Sequence, residues 1–311
     1  MLPKLKTPEA NNKAADFVAG GVKTITAPRA KARNYAEEDA DLYVKIQLFG
    51  SPGTGKTFLG KALLELGFKV LFLTTDLGGD GLNSIVIPMR REGTWNKYRH
   101  NMRSVEIEGY DEVSSFLAAP ESVFPDIYDW DPDFIFWDGL SGWQLIDIGE
   151  KVGEYAVGDK ASEAERDGLQ MNQQKWGQIQ RATFRGLSDF CALRNKKTGR
   201  VWNKVATCLE AVKSKGNGQG GFTESKEPLL QGAGGRLAQG AFDVIVRTSI
   251  TSSPIDEDGS KREYNYILQG HQNLAAKVRG FQLPPKMPAD GKKLITEIFT
   301  QLGLEMPANA S

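Results

Sequence analysis

The sequence predicts an α/β fold in which a mostly parallel, twisted β-sheet is flanked by helices. From Asp41 onward, short hydrophobic stretches typical of strands alternate with stretches of helical spacing, and this order favours parallel strand pairing. A glycine-rich motif at residues 50–57 connects the first of these strands to a helix. A later hydrophobic strand, residues 134–137, ends directly at Asp138. These observations predict a sheet whose strand ends carry a ligand site.

The motif lies between a predicted strand at residues 43–49 and a predicted helix at residues 58–66. It follows the pattern G-x-x-x-x-G-K-[ST] throughout: Gly50, Ser51, Pro52, Gly53, Thr54, Gly55, Lys56 and Thr57. Glycines let backbone N–H groups turn towards an anion, and the helix N-terminus adds partial positive charge. The motif therefore predicts a triphosphate site for ATP, in which Lys56 contacts the terminal phosphates and Thr57 binds Mg²⁺.

The remaining elements follow in chain order. Strands are predicted at residues 69–75, 104–107, 134–137, 205–209, 242–248 and 264–268, a long amphipathic helix at 176–191 and a short final helix at 292–302. Residues 149–172 are predicted to be a loop with some helix, and residues 213–221 a mobile glycine-rich loop. Because the carboxyl ends of parallel strands share one edge of a sheet, we expect Asp138 beside the motif as the second metal ligand.

Hydrolysis requires a group that orients the attacking water. Asp76 follows the second strand and is one candidate for this catalytic role. Glu210 follows the strand at residues 205–209 and is the competing candidate. Alternatively, Glu210 senses the γ-phosphate and signals to the loop that follows it.

The composition argues against several classes of protein. The 311 residues include 39 Lys plus Arg and 39 Asp plus Glu, so there is no cationic coat and nucleic-acid contacts must be local. Two cysteines and two histidines suit neither a disulfide framework nor a structural zinc site. No apolar run approaches the ~20 residues of a membrane span, and no signal peptide is recognisable. We therefore expect a cytoplasmic protein without a membrane partner.

Three segments are expected. Residues 1–40 are polar and basic and are predicted to form a flexible arm. Residues 41–281 contain the motif and all the predicted strands, and they form the core. Residues 282–311 are expected to be a C-terminal tail with a short helix.

The order of these parts resembles the RecA-type recombinase ATPases. It is most similar to their reduced phage versions, the Sak-type single-strand-annealing ATPases among the phage nucleotide-binding P-loop proteins. The resemblance covers about Asp41 to Phe281 and depends on the motif, on Asp138–Ser141 and on a late Lys-x-Arg pair, Lys277 and Arg279. In the filaments and rings that RecA-like and DnaB-like ATPases form, this pair points into the nucleotide of the neighbouring subunit. The resemblance thus implies a RecA-like core, homo-oligomers, ATP hydrolysis at subunit interfaces and, for a phage protein, the bacterial host cytoplasm.

The resemblance also implies two DNA-contacting loops, at about residues 149–172 and 211–235. The second combines cations with one aromatic side chain, as single-stranded DNA binding requires: Lys213, Lys215, Phe222, Lys226 and Arg236. The first is acidic, which argues against strong DNA contact there. Two departures stand out: the family commonly has Glu where this chain has Asp76, and Phe17 lacks the Phe-x-x-Ala spacing of the family's subunit anchor.

The function we favour from the sequence is an ATP-dependent, single-stranded-DNA-binding recombination and repair protein. It would act by annealing or strand exchange, with a single-strand-binding protein as a further partner. One alternative is a DnaB-like helicase or an ATP-gated loader. The other is a small-molecule or nucleotide kinase, whose arginine-rich lid would fall at residues 89–92. No motif marks the pocket for the base.

Overall fold

The computed structural model describes residues 42–75, 81–107, 109–156, 173–216, 222–230, 239–252, 262–270, 274–280 and 282–307. The chain divides into two units, Met1–Ala40 and Asp41–Ser311. The first unit, the predicted basic arm, lies outside the described residues. All elements below belong to the second unit.

The strands form one sheet. They are β1 (Lys45–Gly50), β2 (Val70–Thr74), β3 (Met102–Glu106), β4 (Phe134–Asp138), β5 (Asn203–Gly216), β6 (Phe222–Pro228), β7 (Val244–Ser252), β8 (Arg262–Ile267), β9 (Lys277–Val278) and β10 (Lys286–Pro288). Their order is β10-β8-β7-β1-β5-β4-β2-β3, while β6 pairs with β5 and β9 with β7. The pairings from β7 through β1 to β3 are all parallel, and those of β6, β8, β9 and β10 are antiparallel. The predicted class is confirmed.

The helices cover both faces of this sheet. They are α1 (Phe58–Glu65), α2 (Asn83–Arg91), α3 (Trp95–Tyr98), α4 (Tyr110–Ala118), α5 (Pro120–Val123), α6 (Ile127–Trp130), α7 (Leu140–Ala156), α8 (Gln173–Ala192) and α9 (Gly291–Leu302), with a 3-10 turn at Arg99–Asn101. One apolar cluster joins α1, α2 and α9 to one face, and a second joins α4, α7 and α8 to the other. Strands β2 and β4 are buried at every residue because they contribute to both clusters.

The largest difference from the sequence prediction concerns residues 211–235. Strand β5 continues to Gly216 and forms an antiparallel hairpin with β6, so the predicted loop is wrong for residues 211–216 and 222–228. Both strands carry Lys, Ser and Glu on both faces, so no hydrophobic alternation marks them. Backbone pairing and an ion pair between Lys213 and Glu227 hold the two strands of this hairpin together. Helix α7 extends to Ala156 and so provides helix at the start of residues 149–172, where a loop with some helix is predicted; residues 157–172 lie outside the described part.

The C-terminal helix belongs to the core. A methyl group at Gly291 would lie 2.7 Å from the Ala62 Cβ, so α9 packs closely on α1. The apolar residues of α9 facing the sheet are fully or almost fully buried: Leu294, Ile295, Ile298 and Phe299. The helix begins at an Asp290 cap, whose carboxylate accepts from the Lys293 N–H at 3.0 Å. Packing therefore continues past residue 281, where the sequence-based division places a tail.

Lys204 on β5 is a basic side chain inside the sheet layer. It is fully buried, and its Nζ donates to the carbonyls of Leu193 and Trp202 at 2.9 and 2.5 Å. Burial disfavours the charged ammonium and lowers the pKa of Lys204 to about 7.

We expect stability to rise with pH between about 7 and 10.5, because in this window the unfolded chain binds a proton at Lys204 that the folded chain does not. Below about pH 7 the folded state carries the buried charge, and the destabilisation is fully present. Lys204→Met should raise the free energy of unfolding near pH 7 by a few kcal/mol. The gain is on the order of 1.4 kcal/mol for each unit by which the pKa is lowered, and the loss of the two hydrogen bonds reduces it. Urea unfolding at about pH 6, 8 and 10 measures both effects. An unaltered pH slope in the variant would contradict the assignment.

Candidate nucleotide-binding site

A cavity of about 950 Å³ opens at the carboxyl edge of the parallel strands. The loop between β1 and α1 forms one wall, and Asp138 at the end of β4 forms another. The ends of β5 and the tyrosines of β8 complete the lining. Ligands of open parallel sheets bind at this edge, because loops from several strands converge there.

The phosphate loop, residues 50–57, is fixed against β7. A methyl group at Gly50 would lie 2.3 Å from Thr248 Oγ1 and 2.5 Å from the Thr248 carbonyl oxygen, so only glycine fits there. The Thr54 and Thr248 hydroxyls are hydrogen-bonded at 2.6 Å. Gly53 and Gly55 have φ of 75° and 85°, in the left-handed region that favours glycine. The loop is thus held in shape by the protein itself.

Lys56 lies folded over this loop. Its Nζ donates to the carbonyl oxygens of Gly50 and Ser51, each at 2.9 Å. Helix α1 begins immediately afterwards at Phe58, so the partial positive charge of its N-terminus adjoins the same space. A cation and a helix N-terminus together form an anion site.

Asp138 lies opposite the loop, as predicted. Its Oδ2 accepts the Thr57 hydroxyl at 2.8 Å, and its Oδ1 accepts the Thr207 hydroxyl at 2.6 Å. The residue is 2% exposed. A carboxylate beside a hydroxyl offers the oxygen ligands that Mg²⁺ uses together with nucleotide phosphates, so these residues fit the ion. The described residues contain no cluster of three or more His, Cys, Asp or Glu side chains that could form an all-protein metal cage.

The two water-orienting candidates differ in what the structure describes. Asp76 lies outside the described residues. Its neighbour Thr75 is fixed at the end of β2, because its hydroxyl donates to the Gly139 carbonyl at 2.7 Å and accepts from the Trp137 indole N–H at 3.2 Å. The chain therefore leaves β2 directly beside β4 and Asp138.

Glu210 makes an ion pair across the sheet. Arg247 on β7 donates through Nε to Oε2 at 2.5 Å and through Nη2 to Oε1 at 3.3 Å. The two side chains are only 6% and 16% exposed. Strand β1 lies between β5 and β7, so the pair spans the strand that leads into the phosphate loop. Both Glu210 oxygens are engaged, which disfavours direct proton transfer and leaves the sensing role open.

Lys277 and Arg279 are not brought to this chain's own phosphate loop. Lys277 pairs with Ile245, and the Arg279 N–H donates to the Asp243 carbonyl at 2.9 Å, near the amino end of β7. The phosphate loop adjoins the carboxyl end of that strand. The Lys277 ammonium donates to the Gln239 carbonyl, and Arg279 is exposed.

The predicted DNA-binding residues fall on the β5–β6 hairpin where they are described. Lys213 pairs with Glu227, which offsets part of its charge. Lys226 accepts the Ala275 N–H through its backbone carbonyl at 3.1 Å. Near the hairpin tip, the backbone of Lys215 pairs with that of Thr223 and the backbone of Phe222 with that of Gly216; Arg236 lies outside the described residues.

Two lining residues were not identified from the sequence. Thr207 appears there only as part of a predicted strand, and its partner Asp138 is 69 residues away. Tyr264 on β8 is 39% exposed, and its ring lies 3.8 Å from where a methyl group on Gly55 would be. Alternation in the late strand was the only sequence signal for Tyr264.

No protein-family model matches the chain, and no curated protein matches it. Among solved structures, it is similar to the flagellar accessory protein FlaH from Methanocaldococcus jannaschii, at 12% identity and a TM-score of 0.43, over 79% of this chain and 84% of that one. It is also similar to a KaiC-like protein from Pyrococcus horikoshii, at 14% identity and a TM-score of 0.42, over 80% and 87%. None of the described helices has the length and apolar character needed to cross a bilayer. With its phosphate loop after β1, the sheet has the mostly parallel, helix-flanked α/β architecture expected from the sequence.

Proposed function

We propose that the protein binds and hydrolyses ATP with Mg²⁺, and that this cycle controls binding to single-stranded DNA during recombination or repair. The observation that carries the proposal is the position of Asp138, whose Oδ2 accepts the Thr57 hydroxyl at 2.8 Å beside the phosphate loop. Thr57 and Asp138 supply oxygen ligands for Mg²⁺. When bound, the metal neutralises charge that develops on the transferred phosphoryl group.

The loop residues supply binding and orientation. Phosphates are stronger acceptors than the carbonyls of Gly50 and Ser51, so Lys56 would exchange these carbonyls for the terminal phosphates. Tyr264 offers an exposed aromatic face beside Gly55, where a nucleotide base can stack. Asp76, next to the fixed Thr75, is the candidate that orients the attacking water.

A second copy of the chain completes the proposed site. Lys277 and Arg279 lie beside the amino end of β7, whereas their own phosphate loop adjoins its carboxyl end, and Arg279 is exposed. Cations supplied by a neighbour would stabilise charge on the phosphoryl group and make hydrolysis depend on assembly. Self-association into a filament or ring is therefore part of the proposal.

We expect Arg279→Ala to retain ATP binding but to lose hydrolysis by about 1,000-fold, as for other arginine residues supplied in trans. Mixing it with Lys56→Ala subunits should restore part of the activity, because each variant supplies the part that the other lacks. Phosphate release measures hydrolysis, and a fluorescent ATP analogue measures binding. The exposed Arg91 at the end of α2 provides the control, Arg91→Ala. Loss of ATP binding in Arg279→Ala would place this residue in its own chain's site.

The β5–β6 hairpin is the proposed DNA contact. Ser141 connects it to the cavity: its hydroxyl accepts the Leu209 N–H at 2.9 Å and donates to the Leu229 carbonyl at 2.8 Å, at the base of the two hairpin strands. Ser141 also lines the cavity. A change at the nucleotide therefore has a hydrogen-bonded route to the hairpin.

The test is ATP hydrolysis and oligonucleotide binding at low salt. Hydrolysis should increase with single-stranded DNA, and affinity for a labelled oligonucleotide should increase with ATP and fall steeply with salt. The Lys56→Ala protein should lack the ATP-dependent part of both responses. If single-stranded DNA neither stimulates hydrolysis nor is retained, the DNA-binding function is wrong.

The structure offers little support for the kinase alternative. Residues 89–92, the candidate lid, comprise the last turn of α2 and its C-cap, and Met89 is fully buried in the core. Arg90 packs over the Trp95 ring at 5.7 Å. ADP production without phosphorylation of nucleosides, nucleotides or small molecules would exclude the kinase. Negative-stain electron microscopy with a non-hydrolysable ATP analogue would distinguish a filament from a helicase-like ring.

A further inference from the structure

The Asp138 carboxylate is held by two threonines, one at each oxygen. Thr57 belongs to the phosphate loop and contacts Oδ2 at 2.8 Å. Thr207 belongs to β5 and contacts Oδ1 at 2.6 Å. Both Asp138 and Thr207 are 2% exposed. Water therefore competes little for the hydrogen bond between Thr207 and Asp138.

The direction of the Thr207 hydrogen bond is fixed by a third group. The Gly139 N–H donates to Thr207 Oγ1 at 2.9 Å. An N–H cannot accept, so the single hydroxyl proton of Thr207 is left to donate to Asp138 Oδ1. Thr207 thus always presents a donor to this oxygen, in the geometry that its β-branched side chain and buried strand impose.

We propose that Thr207 is a positioning residue for the metal: it occupies Asp138 Oδ1 and leaves the cation to Oδ2, whose partner Thr57 is itself a proposed ligand of the metal. This inference rests on the proposed function. Single-oxygen coordination suits Mg²⁺, which keeps several waters in a strict octahedron. Ca²⁺ takes more ligands and readily uses both oxygens of a carboxylate. Thr207 therefore favours Mg²⁺ over Ca²⁺ as well as orienting its ligand.

The test compares nucleotide affinity with and without metal. A fluorescent ATP analogue is bound in EDTA and then titrated with Mg²⁺ or Ca²⁺. For Thr207→Val we expect unchanged nucleotide affinity in EDTA. The Mg²⁺ concentration at the midpoint of the titration should rise about tenfold, as for other residues that orient metal ligands, and the Ca²⁺ midpoint should rise less. Thr207→Ser retains the hydroxyl and should restore both midpoints. The control Thr183→Val removes another buried hydroxyl, hydrogen-bonded to Gln144 at 3.0 Å and outside the cavity lining.

Equal Mg²⁺ midpoints in wild type and Thr207→Val would overturn the inference, as would equal shifts for Mg²⁺ and Ca²⁺. If Thr207→Val does not fold, Thr207→Cys, whose thiol is a weak donor, takes its place with the same expectations. A wild-type protein that binds no nucleotide under any condition contradicts the proposed function itself. Nucleotide binding that Mg²⁺ strengthens equally in wild type and variant contradicts only the role of Thr207.

Discussion

Replacing Lys56 with alanine should reduce ATP hydrolysis by at least about 100-fold, the usual effect of removing one group that stabilises transition-state charge. The side chain is the cation of the phosphate loop, and its Nζ lies 2.9 Å from the carbonyls of Gly50 and Ser51. No other residue of the loop is charged. Phosphate release under saturating ATP and Mg²⁺ measures the loss.

The same substitution should leave the fold intact. Lys56 is half-buried, and its contact with the Ser51 carbonyl is exposed, so water can replace the ammonium there. Lys293→Ala, at an exposed lysine in the first turn of α9, is the matched control and should retain full hydrolysis. Equal melting temperatures with unequal activities are the expected outcome. An unfolded Lys56→Ala protein, or one with full activity, would show that the site is wrongly assigned.

Gly50→Ala should destabilise the protein by about 1–3 kcal/mol and remove nucleotide binding. The added methyl group would lie 2.3 Å from Thr248 Oγ1 and 2.5 Å from the Thr248 carbonyl oxygen. Thr248 cannot move aside easily, because its hydroxyl is hydrogen-bonded to Thr54 at 2.6 Å and donates to the Phe49 carbonyl at 3.2 Å. The loop would therefore be displaced from β7 and lose its shape.

Gly177→Ala is the control for this experiment. No heavy atom outside its own helix backbone and chain neighbours lies within 4 Å of a methyl group built there, and the residue lies in the second turn of α8. The substitution should stabilise the helix by about 0.5–1 kcal/mol. Urea unfolding and titration with a fluorescent nucleotide measure both variants. Wild-type affinity in Gly50→Ala would disprove the tight fit of the loop against β7.

The parts of the fold that the sequence predicted are those with a local signal. The phosphate loop is a contiguous motif, and β2 and β4 are continuous apolar runs that stop at Asp76 and Asp138. The parallel sheet then brings Asp138 to Thr57 without further information. Alternating strand and helix patterns were enough to predict a mostly parallel sheet flanked by helices.

The parts that were missed depend on pairing between distant residues. Glu210 and Arg247 are 37 residues apart, and their ion pair exists only because both flank β1. The β5–β6 hairpin has polar residues on both faces, so its strands have no hydrophobic period. Thr207 gained a role only when β5 was placed beside β4.

One backbone contact connects features described separately above. The Lys226 carbonyl on β6 accepts the Ala275 N–H, and Ala275 lies two residues before Lys277. A displacement of the hairpin can therefore be transmitted through the main chain to Lys277 and Arg279, which are proposed to act in the neighbouring subunit. On the proposed function, DNA bound at the hairpin of one protomer would therefore change nucleotide binding in the adjacent subunit. Thermodynamic reciprocity then requires nucleotide binding in that subunit to change the affinity of the hairpin for DNA by the same factor.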